Sequence, residues 1–383
     1  MTNGGKMGHP FAAHRADLAA LAADNRLRAL SPRAGVDFAS NDYLGLASSG
    51  ALRDALAAGI AQGLPAGSGG SRLLRGNHAE HEALEAHAAR HYGSETALFF
   101  PSGFIANAAL FATLPQRGDL IVHDELIHAS AHDGMKLGRA ERAAAAHNDA
   151  QAFDDAIASW RRDGGTGTPW IAVESLYSMD GDCAPLAQLA AVADRHEGVL
   201  VVDEAHATGV HGPGGTGLSH DLAGRANLIT LHTCGKALGC EGALLCVPAV
   251  LRDFIVNRGR PFIFSTAPSP LMAWLVRHAL EIVAGEPERR ARLAALVRHA
   301  EARLAALGLP ASGSQILPVV IGDNARTMRI AGSLQDAGFD VRGIRPPTVP
   351  QGTARLRIAV TLNADEQAID AMTDALAAAM AAA

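Results

Sequence analysis

Short, nearly continuous apolar runs recur along the middle of the chain, each followed by a turn and a helical pattern: TALFF from Thr96, DLIVHDE from Asp119, WIAVES from Trp170, VLVVDEA from Val199 and NLITLHT from Asn227. Strands that face water on one side alternate apolar with polar residues. Strands apolar throughout must be covered on both faces, as happens when parallel strands are joined by crossover helices. The expected fold class is therefore α/β, with a mostly parallel central sheet flanked by helices. Ligands of such sheets collect at the carboxyl ends of the strands. The polar residues just beyond each run are thus the first candidates for a site.

The last run ends at Thr233 and delivers Lys236 into a turn between Gly235 and Gly239. Lysine occurs otherwise only at Lys6 and Lys136. Where arginine carries most of the solvated charge, a lysine set among glycine and apolar residues suits a task that needs the amine to lose its proton. A neutral amine is a nucleophile able to form a Schiff base with an aldehyde cofactor or a carbonyl substrate; a surface lysine in a loop is the plainer alternative. Asp203 and His206 follow the preceding run. A carboxylate there can simply cap a turn, but a pyridoxal cofactor needs both a lysine and an acidic partner for its ring nitrogen, and Lys236 lies one strand on. The turn PSGF places Ser102, Gly103 and Phe104 at a helix N-terminus, where free N–H groups favour a phosphate, although an ordinary helix cap has the same appearance. His128 and His132 stand at metal-ligand spacing, but no HExxH pattern accompanies them. They read as a structural pair and no metal is assigned.

The 383 residues, 48% of them hydrophobic, allow a large core and two domains. A net charge of -6 argues against a nucleic-acid surface. No apolar run reaches the roughly 20 residues that cross a bilayer. Cys183, Cys234, Cys240 and Cys246 lack CxxC spacing and no secretory segment precedes them, so free thiols and a cytoplasmic location are expected. The start, MTNGGKMGHP, reads as a disordered leader and stays outside the fold. An amphipathic helix is expected from about Pro10 to Leu30. Three prolines in PFIFSTAPSP close a unit at Pro270, after which long helices and separated strands suggest an α+β tail. The expected division is an N-terminal arm over 1–46, a large domain over 47–270 and a small C-terminal domain over 271–383. In the tail, Arg345 precedes two prolines, and a stiffened guanidinium fork suits a carboxylate, though a surface arginine is the commoner case.

Several separate stretches resemble one family. FASNDYLGLAS, GSGGSR with the later His81 and Glu85, FPSGFIANAA, HASAHDG, SLYSMDGDCAPL, VVDEAHATGVHGPGGTG, TCGKALG, FIFSTAPSP and IRPPTVPQGTARLR together resemble the α-oxoamine synthases of pyridoxal-phosphate fold type I. The likeness runs from Phe38 almost to the end. RPPTVP, with AHND at Ala146–Asp149, is most similar to the branch that condenses L-alanine with a pimeloyl thioester in biotin biosynthesis; glycine acetyltransfer is the alternative within the family. The resemblance implies pyridoxal 5'-phosphate carried on Lys236, with Asp203 at the ring nitrogen, His206 at the ring 3-oxygen and His128 stacked on the ring. It implies backbone contacts from Gly103 and Phe104, hydroxyls from Ser178 and Thr233, and a phosphate contact from Ser265 and Thr266 to the other subunit of a homodimer. It implies Arg345 at the amino-acid carboxylate, with Thr348, Asn41 and Arg26 as further substrate contacts and Arg28 as the alternative to Arg26. The acyl carrier is expected to be coenzyme A or acyl carrier protein, and neither membrane nor nucleic acid is an expected partner. Cys234 and Glu241 depart from the family's usual residues and bear on pocket shape.

Overall fold

The computed structural model describes residues 10–383; the Gly-rich start through His9 lies outside the described residues. The described residues divide into two compact units, one of residues 40–295 with 361–363, the other of residues up to 39, 296–360 and 364–383. The divisions fall at 39/40 and inside the helix Pro287–Ala306, whereas the sequence breaks suggested 46/47 and 270/271. The helix Pro270–Gly285 packs on the helices Gly50–Ala61 and Ala79–Tyr92, so packing keeps it with the larger unit despite the proline punctuation before it.

The larger unit is built on seven strands: β1 (Thr96–Phe100), β2 (Leu120–Asp124), β3 (Glu141–Ala145), β4 (Pro169–Glu174), β5 (Val199–Asp203), β6 (Leu228–Thr233) and β7 (Ala243–Val247). Their order is β1-β7-β6-β5-β4-β2-β3. All neighbours are parallel except β7, which runs antiparallel to β1 and β6. Successive residues point to opposite faces. Val201 enters the apolar layer with Phe100, Phe111, Met135 and Trp170, and Val202 enters the opposite layer with Phe153, Ile157 and Leu189. Both faces are thus dry, which is why these strands carry unbroken apolar runs. The expected fold class is the one observed. Edge strand β3, ERAAA, has no such run, since its outer residues are exposed and charge on an edge discourages further pairing.

The smaller unit holds a three-stranded antiparallel sheet, β8 (Ile316–Gly322), β9 (Arg342–Ile344) and β10 (Ala354–Ala359), in the order β9-β10-β8. The helices Asn324–Asp336 and Glu366–Ala382 belong with it. Val36–Asp37 pairs in parallel with Phe339–Asp340. The N-terminal helix is Ala12–Ala23 and stops well short of Leu30. It buries no residue, and Asn25 turns left-handed at φ 53° just past its end. With no apolar stripe to dock, nothing extends the helix further.

The glycine-rich segment before the helix Ala79–Tyr92 is ordered by charge. Arg72 meets Glu85 with both prongs of its guanidinium, at 2.7 and 2.9 Å, and the two side chains are only 8% and 13% exposed. Glu85 Oε1 also accepts the Phe99 N–H at 2.8 Å. His81 and Ala267 complete the attachment, His81 Nε2 lying 2.8 Å from the Pro268 carbonyl and Ala267 N–H donating to Gly70 at 2.9 Å. The segment therefore fixes the loop that carries Ser265 and Thr266. Glu85→Ala would strand the Arg72 charge in a dry setting and is expected to cost about 3 kcal/mol or more. A clearly lower urea midpoint checks this, and an unchanged midpoint would show that the pair is not needed.

Candidate active site

The site forms where β4, β5 and β6 end, at a cavity of about 470 Å³ lined by Gly103, Phe104, His128, Asp203, His206, Thr233 and Lys236 among others. Residues from the ends of four separate strands, β1, β2, β5 and β6, thus arrive at one place, as expected at the carboxyl edge of a parallel sheet.

Lys236 Nζ lies 2.9 Å from His206 Nε2, and His206 Nδ1 lies 2.7 Å from the Tyr43 hydroxyl, which is 3.0 Å from Asn41 Oδ1. An amide oxygen only accepts, so the Tyr43 proton goes to Asn41, and the Tyr43 oxygen accepts from His206 Nδ1–H. In the neutral imidazole that leaves Nε2 as the acceptor for an N–H of Lys236. Every donor in this row points away from the lysine toward Asn41, and the lysine ends on a lone pair.

A second network holds the carboxylate. Asp203 Oδ2 accepts from Asn107 Nδ2 at 2.9 Å and Oδ1 from the Ala205 N–H at 3.0 Å. Asn107 Nδ2 also donates to Ser130 Oγ at 2.9 Å, and Ser130 Oγ lies 2.7 Å from His128 Nδ1. The Ser130 N–H donates to that same nitrogen at 3.2 Å, so Nδ1 is the acceptor and the ring proton sits on Nε2. Burial, together with the positive charge of Lys236, pushes the His128 pKa down against the pull of Asp203, which keeps this ring neutral. Glu174 lines the cavity beside Asp203; burial first, then the Asp203 charge, raises its carboxyl to about 8.

The helix Gly103–Thr113 begins at the cavity. Ser102 caps it by accepting from the Ile105 N–H at 3.3 Å, which leaves the first N–H groups free for an anion. A Cβ at Gly103 would stand 2.7 Å from Thr233 Cγ2, so any side chain there must displace that methyl. Ser178 lies outside the cavity lining, its N–H donating to Glu174 Oε2 at 3.2 Å. Ser265 is half-buried and Thr266 exposed, and neither lines the cavity. Cys234 is fully buried behind the lysine turn, while Glu241 is exposed and lines the cavity with Cys240, whose thiol burial pushes up to about 12.

In the smaller unit Arg26, Arg28, Arg345 and Thr348 lie together. Arg26 Nε donates to the Pro346 carbonyl at 3.0 Å, Arg28 to Thr348 Oγ1 at 2.9 Å, and Arg345 to the Asn25 carbonyl at 2.7 Å. Burial, helped by the nearby Arg28 charge, lowers the Arg345 pKa. His132 turns to an edge contact with His123, their ring centroids 4.8 Å apart.

Tyr43, Asn107, Ser130 and Glu174 are site residues to which the sequence assigns no role. Asn107 was the most accessible of them, a polar side chain inside the apolar helix GFIANAALFAT.

Comparison with known proteins gives the family and the fold. Residues 33–376 match the model of the aminotransferase class I and II family. An 8-amino-7-oxononanoate synthase of Anaeromyxobacter dehalogenans is 43% identical over 95% of this chain and 94% of that protein. The chain belongs to the 8-amino-7-oxononanoate synthase family. A solved 8-amino-7-oxononanoate synthase from Francisella tularensis superposes with a TM-score of 0.75 at 26% identity, covering 90% of this chain and 97% of that one. A serine palmitoyltransferase solved with pyridoxal phosphate gives a TM-score of 0.88 at 25% identity over 97% of this chain and 98% of that one. The fold is thus that of the fold type I enzymes, and the family's cofactor is pyridoxal phosphate. The residues present fit that group: a lysine amine and a buried carboxylate lining one cavity, and a glycine-started helix for a phosphate.

Gly103→Ala is expected to weaken pyridoxal phosphate binding by the apoprotein at least about tenfold, roughly 1.4 kcal/mol. Fluorescence titration, with circular dichroism to confirm the fold, checks this. Removing the obstructing methyl in the double variant Gly103→Ala/Thr233→Ser should restore most of the affinity.

Proposed function

We propose that the chain condenses L-alanine with a pimeloyl thioester, releasing carbon dioxide and the free thiol to give 8-amino-7-oxononanoate for biotin synthesis. The observation that carries this is the lysine amine 2.9 Å from His206 in a cavity shared with Asp203 and His128, on a chain 43% identical to named synthases. Pyridoxal phosphate, when bound, supplies the electron sink that makes the Cα–H and Cα–carboxylate bonds of alanine labile.

The protein's part is to hold that sink and move protons. Lys236 would hold the cofactor, and its free amine would accept the Cα proton on Nζ and later return one to the same carbon. His206 Nε2, oriented by Tyr43 and Asn41, would accept a hydrogen bond from the Lys236 amine, and the residue would stand beside the ring 3-oxygen. Asp203 keeps the ring nitrogen protonated, and Asn107 and Ala205 hold its oxygens in place for that. His128, neutral with its proton on Nε2, would lie against the ring and could donate to the thioester carbonyl as the new carbon–carbon bond forms and the thiolate leaves. Gly103 and Phe104 offer backbone N–H groups to the phosphate, with Thr233 and Ser178 supplying hydroxyls. Alanine's carboxylate is assigned to Arg345, with Thr348, Asn41 and Arg26 as further substrate contacts and Arg28 as the alternative to Arg26.

The working form is proposed to be a homodimer in which Ser265 and Thr266 reach the partner's phosphate. Supporting this, Leu73, Leu74, Phe104 and Phe264 are 50%, 84%, 47% and 72% exposed, large apolar side chains that an isolated chain leaves wet. The acyl carrier is coenzyme A or acyl carrier protein. A cytoplasmic setting is supported by the free thiols at Cys183, Cys234, Cys240 and Cys246. Among the described residues no helix is long and apolar enough to cross a membrane.

Borohydride reduction of the loaded protein followed by peptide mapping should place the cofactor on Lys236, and Lys236→Ala should lose about a thousandfold or more in kcat. Of the substrate pairs, L-alanine with pimeloyl thioester should exceed glycine with acetyl-CoA in kcat/KM; the reverse order would assign the chain to glycine acetyltransfer.

A further inference from the structure

Strands β4 and β5 end side by side on two carboxyls, Glu174 pairing in register with Asp203. Neighbours in register project from the same face of a sheet, yet the two groups are solvated differently by the protein. Asp203 receives a donor on each oxygen. Glu174 receives one, the Ser178 N–H on Oε2, and its Oε1 is buried without a partner while the residue as a whole is 2% exposed. A buried carboxylate with a bare oxygen loses far more hydration than a buried carboxylic acid does. Two carboxylates this close, away from water, do not both ionise.

We propose that Glu174 is held as a neutral carboxylic acid in the working enzyme, a positioning residue whose lack of charge keeps a second negative charge from standing beside Asp203 at the catalytic end of the sheet. It rests on Lys236 and Asp203 being the cofactor's holders. The consequence runs through Lys236, because a second negative charge beside the cavity would stabilise the ammonium and oppose the neutral amine that accepts a proton from alanine. It would also compete with Asp203 in fixing where the ring's proton sits.

The charged and titratable groups facing Glu174 are Asp203 on β5, Asp124 at the end of β2, Tyr177 in the loop after β4, and Lys236 beyond β6. From the helix Gly103–Thr113 the group that reaches Asp203 is the uncharged Asn107 amide. Burial first and then the Asp203 charge oppose an ionised Glu174, with Asp124 adding to them, while Lys236 and the Ser178 N–H favour it, and the opposing side prevails up to about pH 8. The sign follows directly. Below that pH the acid is neutral and the site works; above it Glu174 ionises and the rate falls.

Two measurements on the loaded enzyme test this. In infrared difference spectra between about pH 7 and about pH 9, a carbonyl band of a protonated carboxyl should be lost on raising the pH, and should be absent from Glu174→Gln. In kinetics, Glu174→Gln should keep kcat/KM at neutral pH within about threefold of the parent and lose the alkaline fall. A merely structural role would not move that limb of the profile. The proposal is overturned if the parent shows no protonated carboxyl at neutral pH, if Glu174→Gln keeps the alkaline fall, or if it loses about a hundredfold in kcat/KM at every pH. The infrared experiment needs only the parent protein and so survives a variant that fails to fold. Failure of the Lys236 assignment would appear separately, as cofactor fixed by borohydride at another residue.

Discussion

The amide of Asn107 spends its two hydrogens on different networks, one on Asp203 and one on Ser130, and the catalytic end of the sheet depends on that division. Through Asp203 it fixes the only carboxylate of the site that has a donor on each oxygen. Through Ser130 it sets the tautomer of His128, because a serine oxygen already accepting from Asn107 has its own proton to give to His128 Nδ1. One side chain on one helix thus determines both an anion and the direction in which a neutral imidazole donates. The helix can carry a polar residue at 2% exposure because both of its donors are met, and the rest of its inner surface pays nothing for it.

That helix is itself placed by local backbone chemistry. Ser102 caps it, Gly103 lets it approach Thr233, and the apolar run behind it packs on the sheet beside Phe100 and Leu231. The lysine turn follows similar logic on the other side of the cavity. Gly239 has φ 65°, and a Cβ there would stand 2.4 Å from the Ala47 backbone nitrogen. The turn therefore closes against the segment that carries Asn41 and Tyr43, and the row of hydrogen bonds from Asn41 to Lys236 is short because the backbones touch.

Most of the sheet was legible because both of its faces are dry, so β1, β2, β4, β5 and β6 each left an unbroken apolar run. The edge strand β3 left none, since ERAAA is held by backbone pairing to β2 and has little side-chain burial to announce it. The N-terminal helix misled in the opposite sense: alanine and leucine promise a helix to Leu30, but helical propensity without a docked face sustains only Ala12–Ala23. In the site, Lys236, Asp203, His206, His128 and Gly103 stood out as polar or glycine residues at strand ends. Tyr43, Asn107 and Ser130 act on other side chains, and such a role depends on distances that no spacing in the chain encodes. The domain breaks show the same limit, because the prolines near Pro270 end a local segment while the helix that follows still packs on the larger unit.

The two networks also explain why an acidic pair and a lysine can share one small cavity without cancelling. An ammonium beside two carboxylates would settle as a salt bridge, and a lysine in that state accepts no proton. Here Asp203 is occupied by Asn107 and the Ala205 N–H, Glu174 is buried with a single donor, and Lys236 Nζ lies 2.9 Å from the imidazole nitrogen of His206. Lone-pair acceptance from His206 holds the amine in place without fixing a charge on it. Arginine could occupy the same space and keep the same hydrogen bond, but its proton would never leave. The selection of lysine at 236, in a chain that uses it so sparingly, is thus matched by surroundings that hold the amine in position while leaving its charge free to change.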